Sequence, residues 1–364
     1  LLAGIKTDEL QKNYQLLVCE ITQWIHQFEK LFSSGGFLEK TSLEEFIKTA
    51  GAQHSIAIEH SKNLIQKIKS ARELSYALFN EMDFKHLYDP VRKLFAIGMR
   101  VGDETLDASY YDLLASEARL LSFIAIAKGD VPVTHWFRLG RSLVPVEDST
   151  ALVSWSEYLM PALVMLQPKG GLLEQTCQLI VQKQIDYGEE RSIPWGISES
   201  AYNQRDLHFT YQYSNFGVPN LALKRGLGAD RVVAPYATLL AAMYNPAEAC
   251  ENLRRLETLG ASGRFGFYEA VDFTPSRLPD GQEKAVIQAY MAHHQGMGLV
   301  AINNILKTSV AARRFHREPM VQATELLLQE RIPKNVGSIE MPSAAHAGSI
   351  RDSIIHVSRQ YHSV

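Results

Sequence analysis

Helical periodicity is the feature of this sequence that most restricts its fold. Along most of the chain, apolar side chains recur every three or four residues, which places them on one face of an α-helix. The stretches 8–32 and 42–68 show this pattern most clearly, and the second begins with a Thr41/Ser42 cap followed by glutamates in its first turn. We expect these two helices to pair in antiparallel orientation.

The same periodicity continues along the rest of the chain. It predicts further helices over residues 72–83, 108–128, 149–165, 172–187, 232–244, 246–259, 283–307 and 320–330. Strand signals are short and alternate weakly, at 92–100 and 210–213. Because every apolar stripe must be covered by a partner, the sequence predicts an all-α fold built from successive helical hairpins.

Two stretches interrupt the helical pattern. Residues 186–219 and 261–281 both exceed the roughly 12 to 15 residues beyond which a structureless loop in a compact domain is uncommon. Both are rich in aromatic residues, so we expect them to be ordered and to line a cleft at one end of the helical scaffold. Residues 333–364, with scattered glycine and proline, are expected to form a linker or a C-terminal tail.

Charge and motif content exclude several functional classes. In 364 residues, 37 Lys and Arg stand against 40 Asp and Glu, so no basic field favours nucleic acid or an anionic membrane. The three cysteines are far apart in the sequence and indicate no disulfide framework. The sequence contains no phosphate-binding, dinucleotide-binding or zinc-protease motif, which disfavours nucleotide chemistry. The longest apolar stretch, 120–127, has about half of the length that a bilayer crossing needs. Because the first residue is Leu1 and not Met, we expect a domain taken from a longer protein.

Glu199 is the most informative carboxylate. It lies in Trp195-Gly196-Ile197-Ser198-Glu199-Ser200-Ala201-Tyr202, at the centre of the first aromatic stretch. Neighbouring rings would remove water from its carboxyl group and raise its pKa toward that of a general acid. The alternative is an ordinary loop carboxylate that caps a helix. Glu269, in Gly266-Phe267-Tyr268-Glu269, has a similar aromatic setting.

Helical geometry constrains two further pairs of residues. Asp112 and Glu117 lie five residues apart within the predicted helix 108–128, so their side chains would differ by about 140° in direction. At most one of them would then face the cleft, and Arg119 could simply pair with either on a solvated face. His293 and His294 would point about 100° apart, which argues against a shared metal ion and favours a polar cleft lining or a core histidine.

Aromatic rings beside carboxylates, in a slightly acidic chain without a cofactor motif, indicate an uncharged, polyhydroxylated substrate. Sugar rings present apolar faces that stack on Trp and Tyr, while their hydroxyl groups need polar side chains as partners. Two carboxylates that flank a glycosidic bond can cleave it. The sequence therefore indicates glycoside chemistry.

From residue 83 to residue 331 the motifs form an ordered pattern that resembles the glucoamylase-like central domain of bacterial cyclic β-1,2-glucan synthases. The resemblance is carried by the Glu199 motif quoted above, by Tyr290-Met291-Ala292-His293-His294-Gln295-Gly296-Met297, and by residues 88–90, 111–119, 135–141, 211–213, 234–236, 266–269 and 323–331. One departure is that a few more residues normally precede Glu157. Either this loop is shortened in the chain, or residues that belong between Ser156 and Glu157 are absent from the sequence, and we expect the second.

The resemblance implies an (α/α)6 barrel at 83–332, preceded by an N-terminal helical segment at 1–82 that packs on it and followed by the tail at 333–364. It implies cleavage of a β-1,2 linkage and intramolecular transfer of the glycosyl unit with retention, which gives cyclic β-1,2-glucan. An endo-β-1,2-glucanase and a non-catalytic glucan-binding barrel are alternatives. The implied partners are β-1,2-glucan and neighbouring glucosyltransferase and phosphorylase-like domains, in a bacterial inner-membrane protein with this domain on the cytoplasmic side.

The resemblance also implies roles for individual residues. Glu199 would be the general acid/base and Glu117 the nucleophile, because a ring can form only if the enzyme holds the cleaved glycosyl unit until a sugar hydroxyl replaces water. No metal ion or organic cofactor is implied. The residues expected to position sugars are Asp112, Arg138, Arg141, Trp195, Tyr202, Tyr211, Glu269, His293, His294 and Gln295.

Overall fold

The computed structural model describes Thr22, Ile25, His26 and residues 40–146, 149–153, 158–219, 221 and 227–332. The predicted helix 8–32 lies outside the described residues except for those three positions, which are helical. Its antiparallel pairing, the junction of Ser156 with Glu157 and the tail from residue 333 onward also lie outside the described residues.

The described part of the chain contains eight α-helices. They are α1 Lys40–Glu81, α2 Arg119–Lys128, α3 Leu172–Arg191, α4 Pro235–Ala241, α5 Pro246–Thr258, α6 Ala292–Leu306, α7 Val310–Phe315 and α8 Pro319–Thr324. The predicted helices 42–68 and 72–83 are one continuous helix, α1, because neither glycine nor proline lies between them. Short 3-10 helices are Phe84–Leu87, Val133–Arg138, Met160–Leu163, Leu227–Ala229, Pro275–Arg277 and Glu325–Leu328.

Short strands connect the helices. They are β1 Tyr88–Asp89, β2 Leu94–Ala96, β3 Met99–Arg100, β4 Thr105–Leu106, β5 Tyr110–Tyr111, β6 Leu143–Val146, β7 Ser149–Leu152, β8 Ser200–Arg205, β9 Tyr211–Ser214, β10 Val232–Val233, β11 Ser262–Gly263, β12 Gly266–Phe267, β13 Ala270–Asp272 and β14 Ala285–Ile287. Each pair of these strands in the described part of the chain is antiparallel, and one isolated parallel bridge joins Leu113 and Gly140. Two sheets have three strands, in the orders β1-β2-β5 and β10-β13-β14, and the remaining strands form the hairpins β3-β4, β6-β7, β8-β9 and β11-β12.

The purely α-helical class was therefore too simple, and four predicted helices were wrong in part, because each of 108–128, 149–165, 232–244 and 283–307 includes a short strand. Within 108–128, Tyr110–Tyr111 pairs with β2, and the helix begins only at Arg119. Within 149–165, β7 pairs with β6, and Met160–Leu163 is a 3-10 turn. Aromatic and β-branched residues favour these strands once a partner strand is available. The hydrophobic periodicity of a single segment does not show whether such a partner exists.

The core lies between α3, α4 and the loops around Trp195. Helix α3 buries Leu173, Cys177, Ile180 and Val181 on the face it turns inward. Full burial of a Leu or Ile side chain is worth about 1.5 to 3 kcal/mol, so this face alone is a large share of the stability. Gly188 allows the Trp195 segment to close on α3, because a Cβ at this position would lie 2.8 Å from Trp195 Cβ.

The C-terminal part of α1 contacts the helices that follow. Tyr76 Oη donates a hydrogen bond of 2.9 Å to Glu318 Oε2, just before α8. Lys128, at the end of α2, donates its ammonium group to the carbonyl of Met82. These contacts fix the end of α1 against α2 and α8. Within the described residues, none of the helices combines the length and the apolarity that crossing a membrane requires.

Candidate active site

Glu117 and Glu199 open into the same cavity. Its volume is about 330 Å³. Both glutamates are half-buried, and Asp112 is an exposed member of the lining. The lining residues are Ile97, Tyr110, Tyr111, Asp112, Leu113, Ser116, Glu117, Glu199 and Asn215. Two acidic side chains that are 82 positions apart in the sequence therefore face one cavity, which is large enough for a sugar ring.

Glu117 lies in the turn between β5 and α2, and not within a helix. The turn is closed by Ser116, whose Oγ accepts from Ala118 N at 3.1 Å, and by Leu120 N, which donates to Glu117 O at 3.0 Å. The expectation that Asp112 and Glu117 differ by a fixed angle on one helix was wrong, because Asp112 directly follows β5. Since the chain turns between them, both side chains reach the cavity.

The backbone at Glu199 is held from two helices. On the α3 side, Gln184 accepts from Ile197 N at 2.9 Å and donates to Ile197 O at 2.7 Å. On the α4 side, Tyr236 Oη donates to Glu199 O at 3.1 Å. Ser198 Oγ lies 2.8 Å from the same phenol oxygen and donates to it, because the single tyrosine hydrogen is used on Glu199. These contacts fix the position of the Glu199 backbone and therefore of its Cα.

Asn215 and Tyr111 interact with the two carboxylates. The side-chain amide of Asn215 faces Glu199, and with its nitrogen turned to the carboxylate it donates to Oε1 at 3.2 Å and also to Oε2. Burial raises the pKa of the Tyr111 hydroxyl, and the negative charges of Glu117 and Glu199 raise it further. The Tyr111 phenol therefore stays protonated and can donate a hydrogen bond within the cavity.

Glu269 and His294 form a buried pair behind Glu199. His294 Nδ1 lies 2.9 Å from Glu269 Oε1, and both side chains are 1% exposed. Glu269 Oε1 also accepts from Ala201 N at 3.3 Å. The His294 ring stacks on Tyr236 with 3.7 Å between ring centres and an angle of 10°. This pair supports the tyrosine that holds Glu199, and neither residue is in the cavity lining.

His293 and His294 face different surroundings, as their adjacent positions on a helix predict. Both are in the first turn of α6. His293 is exposed, whereas His294 is buried. No group of three or more His, Cys, Asp or Glu side chains with the arrangement of a metal site occurs among the described residues.

The other residues expected to position sugars do not line the cavity. Trp195 is only 3% exposed, and its backbone N and O bond to the Asn252 side chain in α5. Arg141 makes a two-pronged ion pair with Glu330, with distances of 2.6 and 3.0 Å. The remaining contacts are Arg138 with the Arg92 carbonyl, Tyr202 with the Arg277 guanidinium, Tyr211 with the Arg205 guanidinium, and Gln295 with the Phe267 carbonyl.

Sequence reasoning missed Asn215 and Tyr236 as members of the site. Asn215 follows β9, and its approach to Glu199 depends on how β9 pairs with β8. Tyr236 is in the first turn of α4, directly after Pro235. The Pro-Tyr step marks a helix start, but no spacing within the sequence connects it to Glu199.

Comparisons with known proteins identify the family and agree with this fold. The glycoamylase family model, described as "Putative glucoamylase", matches residues 109–319. The cyclic β-(1,2)-glucan synthase NdvB of Rhizobium meliloti (strain 1021) is 51% identical over 285 residues, which are 77% of this chain and 10% of the synthase. The chain thus spans about a tenth of the curated relative that it matches. The resemblance read from the motifs is confirmed.

Solved structures show the same fold at low sequence identity. A "putative glucoamylase" from Bacteroides uniformis ATCC 8492 has a TM-score of 0.52 and 16% identity, over 75% of this chain and 66% of that one. An endo-β-1,2-glucanase from Chitinophaga pinensis, in complex with sophorotriose and glucose, has a TM-score of 0.50 and 15% identity, over 74% of this chain and 65% of that one. The helices with short connecting sheets are therefore the glucoamylase-like fold.

Proposed function

The chain belongs to the glycoamylase family, and from this membership and the cavity shared by Glu117 and Glu199 we propose that it cleaves and re-forms glycosidic bonds in β-1,2-glucan. The single observation that carries the proposal is the meeting of these two carboxylates in one sugar-sized cavity. The choice of substrate rests on the relative at 51% identity, a cyclic β-(1,2)-glucan synthase.

The proposed chemistry has two balanced steps. The Glu117 carboxylate attacks the anomeric carbon, the bond from that carbon to the bridging oxygen breaks, and Glu199 donates its proton to the leaving oxygen. A hydroxyl group at the far end of the same chain then attacks the anomeric carbon, loses its proton to Glu199 and releases Glu117. Two inversions give net retention, and the product is a closed ring.

One contact bears on the assignment of roles within the pair. Hydrogen bonds from the Asn215 amide stabilise the ionised form of Glu199. The second step requires an ionised Glu199 to accept a proton, so this contact is compatible with the proposed roles; the exchanged assignment, with Glu199 as nucleophile and Glu117 as acid/base, is the alternative. Azide rescue separates the two assignments. A Glu117→Ala variant that yields a glycosyl azide of inverted configuration supports Glu117 as nucleophile, whereas the same product from Glu199→Ala supports the exchange.

The primary test is turnover of linear β-1,2-glucan by purified protein. We expect Glu199→Gln and Glu117→Gln to lose activity by several orders of magnitude while their unfolding transitions stay near that of the wild type. Glu251→Gln is a matched control, because Glu251 is an exposed carboxylate of α5 that does not line the cavity. Full turnover by either glutamate variant would contradict the proposed pair.

Mass spectrometry separates ring closure from hydrolysis. A cyclic glucan is lighter than the linear chain of the same length by one water, so a ladder of linear products would support the endo-β-1,2-glucanase alternative. Binding without turnover in the wild type, unaffected by Glu199→Gln, would support a non-catalytic glucan-binding barrel.

We extend the proposal to the surrounding architecture. The helices would complete an (α/α)6 barrel over 83–332, with 1–82 as a preceding helical segment and 333–364 as a linker or tail. The partners would be glucosyltransferase and phosphorylase-like domains of a longer bacterial inner-membrane protein, with this domain on the cytoplasmic side. The support for a longer protein is that the matched synthase region is 10% of that synthase.

A further inference from the structure

Three aromatic rings meet at the surface beside α6. Phe265 is 71% exposed and Tyr290 is 36% exposed, and their ring centres are 5.8 Å apart in an edge-to-face arrangement. Tyr268 is half-buried behind them, with its ring centre 5.2 Å from that of Tyr290. We call Phe265, Tyr268 and Tyr290 the aromatic shelf. Single exposed apolar side chains are ordinary on protein surfaces, whereas a contiguous cluster of rings indicates an interaction site.

The aromatic shelf is held rigidly by the β11-β12 hairpin. Ser262 pairs with Phe267 and Gly263 with Gly266, which places Phe265 at the tip of a two-residue turn. A Cβ on Gly263 would lie 2.5 Å from the hydroxyl oxygens of both Tyr268 and Tyr290, so only glycine lets the two phenols converge there. The rings are therefore set in place before any ligand arrives, which lowers the entropy cost of binding.

Contacts through the first turn of α6 link the hairpin that carries the shelf to residues near the candidate active site. Phe267 O, between Phe265 and Tyr268, accepts from Gln295 Nε2 of α6 at 3.0 Å. In the first turn of α6, the exposed ring of His293 lies 3.9 Å from that of His294. Tyr213, which is 39% exposed, stacks with His294 at 6.3 Å. Two residues beyond Tyr213, Asn215 faces Glu199 in the cavity.

We propose that the aromatic shelf is a distal subsite that binds glucosyl units of the β-1,2-glucan chain, several units away from the bond that is cleaved. The inference rests on the proposed function. Glucose rings have apolar faces that fit on preset aromatic rings, and Arg264 beside Phe265 supplies donors for sugar hydroxyl groups. Intramolecular transfer needs the far end of the chain held near the cavity, and a subsite beside the first turn of α6 would do this by raising the effective concentration of that end.

Binding of two glucans of different length tests the proposal. In a Glu199→Gln background, which removes turnover, we expect Phe265→Ala to weaken binding of a long linear β-1,2-glucan about tenfold, as loss of one stacked ring surface predicts. Binding of a β-1,2-linked trisaccharide, too short to reach both sites, should be unchanged. Phe265→Trp should restore long-chain affinity, and Leu326→Ala, a change of a 75% exposed apolar residue, should leave both affinities unchanged.

The outcomes are distinguishable. Equal affinity of the Phe265→Ala and parent proteins for the long glucan would contradict the proposal that the aromatic shelf is a distal subsite. That result would not affect the proposed function. A loss of trisaccharide binding as large as the loss for the long glucan would also contradict the distal subsite, because the residue would then act at the cavity. If the Glu199→Gln protein binds neither glucan and the wild type does not turn them over, the proposed function itself fails, and the shelf with it.

Discussion

Removal of the Tyr236 hydroxyl should slow the reaction without weakening substrate binding. Tyr236 is 4% exposed and is not part of the cavity lining. Its hydroxyl group donates to Glu199 O at 3.1 Å and is bonded by Ser198 Oγ at 2.8 Å. Tyr236→Phe keeps the ring that stacks on His294 and removes the hydroxyl group that makes these two hydrogen bonds.

The size of the effect follows from those two bonds. A typical buried hydrogen bond is worth about 0.5 to 1.5 kcal/mol net, so the free energy of unfolding should fall by about 1 to 3 kcal/mol. The Glu199 backbone is still held by Gln184 through Ile197, so the fold should persist. Because a misplacement of about 1 Å of a reacting group can cost about 10²-fold, we expect kcat on linear β-1,2-glucan to fall by about ten- to a hundredfold.

A matched control separates position from stability. Tyr244→Phe also deletes one phenol hydroxyl, which bonds Gln167 Oε1 at 3.0 Å away from the cavity. We expect it to lower the free energy of unfolding by a similar amount per bond and to leave kcat unchanged. The measurements are denaturant unfolding and initial rates of glucan turnover. Wild-type kcat in a folded Tyr236→Phe protein, or an equal loss of kcat in Tyr244→Phe, would refute the positioning role.

Three further changes test the scaffold. Burial lowers the pKa of His135 below its ordinary value of 6.5, so the contribution of His135 to stability is present above that pH and is lost as the pH falls. The free energy of unfolding should therefore fall less between pH 7 and pH 5 in His135→Gln than in the wild type. Equal falls in the two proteins would contradict this. Glu330→Gln weakens the partly buried pair with Arg141 and should cost about 1 to 3 kcal/mol by denaturant unfolding. Gly188→Ala places a methyl group against Trp195 and should cost about 1 to 3 kcal/mol, with a shift in tryptophan fluorescence as a second readout.

Local patterns in the sequence predicted the long helices well. The predictions 172–187 and 246–259 begin at the same residues as α3 and α5, and they end within four residues of them. Pro246 at the start of α5 and the side-chain cap from Asn245 are signals that lie within the segment itself. Such helices are set by residues close in the chain, so a single sequence is enough.

The strands beside the site were not predictable in the same way. A strand of two residues, such as β5, has no period to detect, and it exists because Phe95 pairs with Tyr111 across 16 positions. The same limit explains the misplaced Asp112 and Glu117, whose shared cavity depends on that pairing. Glu199 was predicted as a site residue from the aromatic residues of its own segment, whereas Asn215 and Tyr236 approach it only in the folded chain.

The two carboxylates are attached to different parts of the scaffold, and this gives Arg141 a structural role near the site. Glu199 is fixed by α3 and α4, while the segment before Glu117 is bonded to Gly140, which donates to Asp112 O and accepts from Leu114 N at 3.1 Å. Arg141 follows Gly140 directly and is clamped by Glu330. In glycosidases the distance between the two carboxylates is linked to retention or inversion of the anomeric configuration. The ion pair of Arg141 with Glu330 would therefore influence the reaction from outside the cavity, because it fixes the segment that leads to Glu117.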